Sequence, residues 1–241
     1  ARECGLMQLT WHDRMDSFLA GTLVYLERDE VVNTLMLGLA LRLQSDPSIY
    51  PSVELVTVND EQGLILAGLM TVPEKLILYG VEGWENEALE YLIEGLLARK
   101  VNVPGVVGPK ELAEKFANLW VARTGATLEL DMHMRVYELR EVNVNVIGEG
   151  QLRAAEQRDL DFLVEAIAEF QRDAGIATTP DWELCTRLAK RRIQEQSAFL
   201  WEHQGKVVSV AAKSRPTRHG ITINMVYTPK DLRGRGYATS C

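Results

Sequence analysis

The sequence predicts an α/β chain made of two successive halves, each a mixed sheet covered by helices. Three observations point there. Segments with apolar residues at helical spacing alternate with short runs rich in Val, Ile, Leu and Tyr. A polar, glycine-bearing stretch, Glu141 to Gly150, interrupts that alternation and reads as a connector. The third is a faint internal repeat. Val58-Asn-Asp-Glu-Gln-Gly63 and Trp201-Glu-His-Gln-Gly205 both place a Gln-Gly turn between two strands, with a third apolar strand following, and Gln62 and Gln204 lie 142 positions apart. The expected domains are residues 1–143 and 149–241.

In the first half, Met15, Phe18, Leu19, Thr22, Leu23 and Leu26 share one helical face. A second helix is expected over Val31 to Leu43, with Val32, Leu35, Met36, Leu39 and Leu43 inward, ended by Ser45-Asp46-Pro47-Ser48. Three strands follow at Val53–Val58, Leu64–Thr71 and Lys75–Gly80, joined by turn-forming linkers. Glu85 to Lys100 reads as a helix, Val103–Val107 as a short strand. Pro109 suits the first position of another helix, and Gly125 its C-terminal cap. Thr127 to Leu139 alternates apolar and polar residues and is expected as the last strand of this half.

In the second half a strand at Gln151–Ala155 precedes a helix from Gln157 to Arg172. Thr179 is expected to cap the next helix, with Pro180 at its first position and Asp181 in its first turn. Strands at Ala198–His203, Lys206–Lys213 and Gly220–Tyr227 complete the set.

Composition narrows the function classes. Apolar residues at 46% and charged residues at 25% are a globular balance with enough material for a core. A net charge of −8 argues against a nucleic-acid partner. No run approaches the roughly 18 apolar residues of a membrane span, and Ala-Arg-Glu-Cys-Gly at the start lacks a signal-peptide core and reads as a processed or trimmed start. Cys4, Cys185 and Cys241 lack metal-ligand spacing and suit free thiols in a reducing cytoplasm. Neither a phosphate-binding Gly-x-x-x-x-Gly-Lys-Ser/Thr nor a dinucleotide Gly-x-Gly-x-x-Gly is present, which disfavours ATP and dinucleotides.

The informative stretch is Asn224 to Cys241. An apolar strand, Met225-Val226-Tyr227, breaks at Thr228-Pro229. The chain then passes Arg233-Gly234-Arg235-Gly236 and enters a helix at Tyr237-Ala238-Thr239. A glycine loop running into a helix start presents unpaired backbone N–H groups to an anion, and the two arginines add positive charge. This segment resembles motif A of the GNAT superfamily of acyl-CoA-dependent N-acyltransferases: Arg or Gln, two residues, Gly, one residue, then Gly or Ala. The resemblance implies two GNAT-like mixed-sheet domains, the first without the cofactor loop and the second stopping short of the family's full length. It implies acetyl-CoA as co-substrate, no metal, and transfer of an acetyl group to a primary amine of a small molecule or peptide. The cofactor-binding residues it implies are Val226, Tyr227, Thr228, Arg233, Gly234, Arg235, Gly236, Tyr237, Ala238 and Thr239. At the corresponding place the first half has Val81-Glu82-Gly83-Trp84-Glu85-Asn86-Glu87, whose three acids would repel a pyrophosphate.

The catalytic groups are less legible. Glu202 and His203 at a strand end are base candidates by type, though charged hairpin residues are commonly just solvated. Asn224 and His219, on the strand before the loop, could orient an amine or a water, although His219 follows Arg218 at a turn and is expected to be exposed. His12 and His133 lack partners at metal or triad spacing, and Trp182, Met132 and Met134 sit on periodic faces and are expected in the core. The family's tyrosine acid falls beyond Cys241, so the 241 residues alone are expected not to be a competent enzyme. A regulatory or scaffold protein that binds acyl-CoA without turnover is the alternative, and a homodimer is compatible with either.

Overall fold

Two separate sheets carry the chain in a computed structural model that describes residues 6–241. The opening Ala1 to Gly5, with Cys4, lies outside the described residues.

The first sheet is built from β1 (Gln8–Trp11), β2 (Val53–Asp60), β3 (Gly63–Thr71), β4 (Leu76–Gly80) and β5 (Val106–Val107), in that spatial order. Its pairings are antiparallel except β4–β5, which is parallel. Helices α1 (Met15–Leu26) and α2 (Thr34–Ser45) lie between β1 and β2 in sequence, and α3 (Asn86–Ala98) and α4 (Lys110–Thr124) flank β5. Successive strand residues point to opposite faces. Val56, Leu66 and Leu78 therefore meet Leu89, Leu92, Leu96 and Phe116 of α3 and α4. Leu55, Leu64, Ala67 and Ile77 meet Phe18, Leu26, Met36 and Leu37 of α1 and α2. A sheet buried on both faces needs apolar residues at every position, and β3 reads Gly-Leu-Ile-Leu-Ala-Gly-Leu-Met-Thr for that reason.

The second sheet is antiparallel throughout, in the order β6 (Gln151–Ala154), β7 (Ala198–His203), β8 (Lys206–Ser214) and β9 (Thr222–Tyr227). Helices α5 (Leu160–Asp173) and α6 (Trp182–Gln194) join β6 to β7 in sequence. Their buried residues Leu163, Ala166, Ile167, Cys185 and Ala189 pack on Ala198, Leu200, Val210, Ala212 and Met225. A four-residue helix, α7 (Tyr237–Ser240), follows β9 and lies against β7 and β8. Both sheets repeat one order: an edge strand, two helices, then an antiparallel meander. Both also carry a register shift at the same place, Val58/Asn59 in one and Trp201/Glu202 in the other.

The chain divides into two units, and the division is not a single cut. The first runs to Glu138 and also takes Arg215–Gly220, the tip of the β8–β9 hairpin; the second holds Leu139–Ser214 and Ile221–Cys241. Within the first unit Arg218 pairs with Glu27 at 3.1 Å, and Thr217 and His219 both bind Glu30, at 2.7 and 2.8 Å. Chiefly through Thr217, Glu30 is held below the usual carboxylate range.

Several sequence expectations need correction. Residues 127–139 form no strand: among the described residues no strand pairs with them, and Leu128, Leu130, Met132, Met134 and Val136 are exposed. Alternation prepares a strand, but a ladder needs a neighbour. Trp182 is 55% exposed, because the buried face of α6 is set by Cys185 and Ala189 further along. Val32 is exposed as well, since α2 begins only at Thr34. Asp181, not Thr179, is the N-cap of α6: its carboxylate accepts the Leu184 N–H at 2.9 Å. A cap residue needs its side-chain oxygen two or three residues before the orphan N–H, and only Asp181 meets that spacing. Asp181→Ala is therefore expected to lower stability by about 1 kcal/mol, read as a lower urea midpoint at unchanged slope.

Candidate functional site

The site is built at the end of β9. Tyr227 is buried on the core side of the strand. Thr228 follows it inward, sharing a hydrogen bond of 2.9 Å with Ser209 Oγ, and Ser209 also donates to the Tyr227 carbonyl at 3.1 Å. Pro229 then ends the ladder, and Lys230–Leu232 makes one 3-10 turn.

Arg233 folds back over what precedes it. Its Nε donates to the Thr228 carbonyl at 2.9 Å, its guanidinium lies 5.6 Å from the Tyr227 ring centre, and its Nη2 meets Asp173 Oδ2 at 2.5 Å. Lys230 reaches the same corner, at 3.3 Å from Asp173 and 3.6 Å from Glu169. Glu169 and Asp173 sit in the last turns of α5, where the helix dipole disfavours negative charge. The two loop cations offset that and fasten the loop to the helix end. Arg233, first among its neighbours, holds the Asp173 carboxyl below its ordinary range.

Beyond Arg233 the chain turns through two left-handed glycines, Gly234 at φ 76° and Gly236 at φ 79°. A residue with a Cβ is strained at such angles. The space a Cβ would take at either position is empty to 4 Å, so the glycines leave an open hollow rather than a packed turn. Among the described residues, the backbone N–H groups of 234 to 239 have no hydrogen-bond partner. Alternating backbone handedness that turns successive N–H groups to one side makes a concave anion cradle. With four residues, α7 adds little dipole, so the cradle rests on the individual N–H groups. Gly148 N–H donates to Ser240 Oγ at 2.9 Å and pins α7 from the connector side.

A cavity of about 550 Å³ opens onto this cradle. Its wall includes Val226, Tyr227, Thr228, Arg233, Gly234, Gly236, Tyr237, Ala238 and Thr239. Of the ten residues expected to bind a cofactor, only Arg235 is outside the wall; its side chain turns back to the Asp231 carbonyl at 3.3 Å. Phe170, Asp173 and Ala174 of the α5 end and Leu232 complete the wall, and the sequence pointed to none of them. Asp173 lies 60 positions from Arg233, so no local pattern could pair them.

The catalytic candidates land differently. Glu202 is not a solvated hairpin residue. It accepts from Arg153 Nε at 2.7 Å, and Arg153 also grips Asp159 with two hydrogen bonds, at 2.7 and 2.9 Å. Asp159 in turn accepts the Glu156 N–H and caps the entry to α5. Glu202 is thus part of a structural ion network. His203 contacts the Glu149 carbonyl at 3.0 Å, and its ring lies 5.4 Å from that of Tyr237. Asn224 accepts from Arg192 at 3.3 Å, and His219 is bound to Glu30. Cys241 sits beside Phe199; burial pushes its thiol up to about 11, so it stays protonated near neutrality. Among the described residues no group of three or more His, Cys, Asp or Glu could hold a metal ion, and no helix is long and apolar enough to cross a membrane.

No family model matches the chain, and no curated protein matches it. Solved structures do. The chain is similar to a possible acetyltransferase from Clostridium difficile 630, with 20% identity and a TM-score of 0.31 over 36% of this chain; the match spans only 61% of that protein. It is similar to a GNAT-family acetyltransferase from Colwellia psychrerythraea, with 13% identity and a TM-score of 0.47 over 97% of this chain and 82% of the other. It is also similar to a tandem GNAT protein from the clavulanic acid biosynthesis pathway, with 14% identity and a TM-score of 0.45 over 98% and 83%. At such identities the chemistry must be read from this chain's own residues.

The Arg153 network has a consequence for pH. Arg153 holds the Asp159 carboxyl below its ordinary range. A depressed folded-state pKa stabilises the fold above the unfolded value, about 3.9, and that stabilisation is lost as pH falls through the folded value. Acid unfolding is expected to steepen below about pH 4 in the parent and to be less steep in Asp159→Asn, measured by circular dichroism across pH.

Proposed function

We propose that the second unit binds acetyl-CoA at the Arg233–Thr239 loop and that the protein transfers the acetyl group to a primary amine. The observation that carries this reading is the conjunction of unpartnered N–H groups at 234 to 239 with an open, largely apolar-walled cavity of about 550 Å³. The N–H groups fit a pyrophosphate, and Val226, Tyr227 and Phe170 fit the thinner apolar arm behind it. The bound thioester would supply an activated acyl carbon. The chain's own part is then positional. The N–H cradle fixes the phosphates, the free edge of β9 offers backbone groups to the arm, and the amine is held for direct attack.

The same geometry assigns Arg233 a shaping role, since Asp173, Thr228 and Tyr227 already occupy its guanidinium. Phosphate contact would come from the backbone, with Arg235 as the cation near at hand. One observation favours the second reading, an acyl-CoA binder without turnover: the carboxylate Glu202 is engaged by Arg153 and is not part of the cavity wall. Turnover of acetyl-CoA against a panel of primary amines separates the two. An amine-dependent release of free thiol supports the enzyme, and saturable binding without release supports the binder.

The site itself is tested by calorimetry. Gly236→Asp puts a Cβ on a left-handed backbone and a negative charge into the cradle. Affinity for acetyl-CoA is expected to fall on the order of 100-fold or more, since like-charge juxtaposition costs several kcal/mol. Parent-like affinity in a folded Gly236→Asp protein would remove the loop from the binding site.

A further inference from the structure

Arg192 stands out among the cations of the second unit. On α6 its neighbours follow the usual rule: Arg187 pairs with Glu183 at 3.8 Å and Arg191 with Glu195 at 3.9 Å, each one turn away. Arg192 is half-buried, yet among the described residues no carboxylate lies within 4 Å of its guanidinium. Glu195 attracts it from farther off but is the partner of Arg191. Burial together with the adjacent Arg191 charge lowers its pKa, as expected of a cation partly out of water without an anion. A group in that state costs free energy unless something compensates it.

Among the described residues, the side chain that holds the head of Arg192 is Asn224, whose Oδ1 accepts from Nη2 at 3.3 Å. Asn224 has an unusual backbone position. In the β8–β9 ladder Ala212 pairs with Met225 and Lys213 with Ile223, so Asn224 is the extra residue of a bulge. The bulge lies on β9, an edge strand: among the described residues no other strand adjoins its outer side. With its carbonyl oxygen engaged by Arg192, the Asn224 amide keeps its N–H donors for another group. Val226, two residues on along that strand, lines the cavity, about 7 Å away at the rise of an antiparallel strand. An uncompensated guanidinium and an amide donor thus sit together on the open edge of β9, a short step upstream of the cavity.

We infer that Arg192 and Asn224 form the acceptor subsite and that the acceptor amine carries a carboxylate, as an amino acid or a peptide C-terminus does. The inference rests on the acyl-CoA reading for the word acceptor, but not for the existence of the carboxylate site. A guanidinium presents paired N–H donors that match the two oxygens of a carboxylate, and the Asn224 amide adds a third donor at the side. An acceptor held there by its anionic end would reach toward the cavity with its amine. The distance along the strand suits a short compound of one or two residues.

The test is nuclear magnetic resonance of the full 241-residue chain without coenzyme A. The Nε–H cross-peak of Arg192 is assigned by its disappearance in Arg192→Lys. Glycylglycine and glycylglycinamide, which differ in the carboxylate alone, are the probes. A saturable shift of that peak with glycylglycine and none with the amide is expected, weakened about tenfold in Asn224→Ala for the lost charged hydrogen bond. No shift with glycylglycine, or an equal shift with the amide, overturns the inference. Calorimetry of the same samples with acetyl-CoA reports on the other reading separately: its failure there leaves the Arg192 titration readable, and the reverse holds too. With turnover, Arg192→Lys is expected to raise KM for glycylglycine with kcat nearly unchanged and to leave glycylglycinamide unaffected. Equal changes for both acceptors would contradict a carboxylate-specific role.

Discussion

The loop that defines this site depends on one side chain, Arg233. It ties the end of β9 to the end of α5 through the Thr228 carbonyl, the Tyr227 ring and the Asp173 carboxylate. An exposed ion pair by itself contributes little. Three contacts on one planar group fix an orientation, which matters more here than their summed strength. With Arg233 so held, the chain leaves the strand in a set direction. Gly234 and Gly236 can then turn their N–H groups into the hollow instead of closing onto neighbours.

The two units show how one topology can hold two different corners. Each has an edge strand, a helix pair and an antiparallel meander with a register shift in its first hairpin. After the third meander strand they part. In the second unit the turn is open and lined by glycines. In the first, Gly80 is followed by Val81, which is buried, and by Trp84, which packs on the core beside Leu112. Apolar packing fills the corner there, and Glu82, Glu85 and Glu87 replace the arginines. The expectation of a first half without the cofactor loop thus has both a packing and a charge component.

Much of this was legible in the sequence because it is local. The helical faces of α1 and α3, the meanders and the Arg-Gly-Arg-Gly loop are patterns within some twenty residues. What escaped is what joins distant positions. Asp173 reaches Arg233 across 60 residues, and Glu202 is drawn into the Arg153–Asp159 cluster across 49. A base candidate chosen by residue type cannot reveal that an arginine already holds it. The segment 127–139 fails for a related reason: its alternation is a local property, whereas strand pairing depends on a neighbour. The Arg215–Gly220 tip, expected to stay with its own half, answers to Glu27 and Glu30, nearly two hundred positions away.

The most direct measurement is a crystal structure with coenzyme A bound. The account predicts the pyrophosphate oxygens within hydrogen-bond distance, about 2.7–3.2 Å, of the backbone nitrogens between Gly234 and Thr239, with the Arg233–Asp173 pair intact beneath them. A pyrophosphate seated elsewhere, or one that draws Arg233 off Asp173 to bind it, would contradict the account.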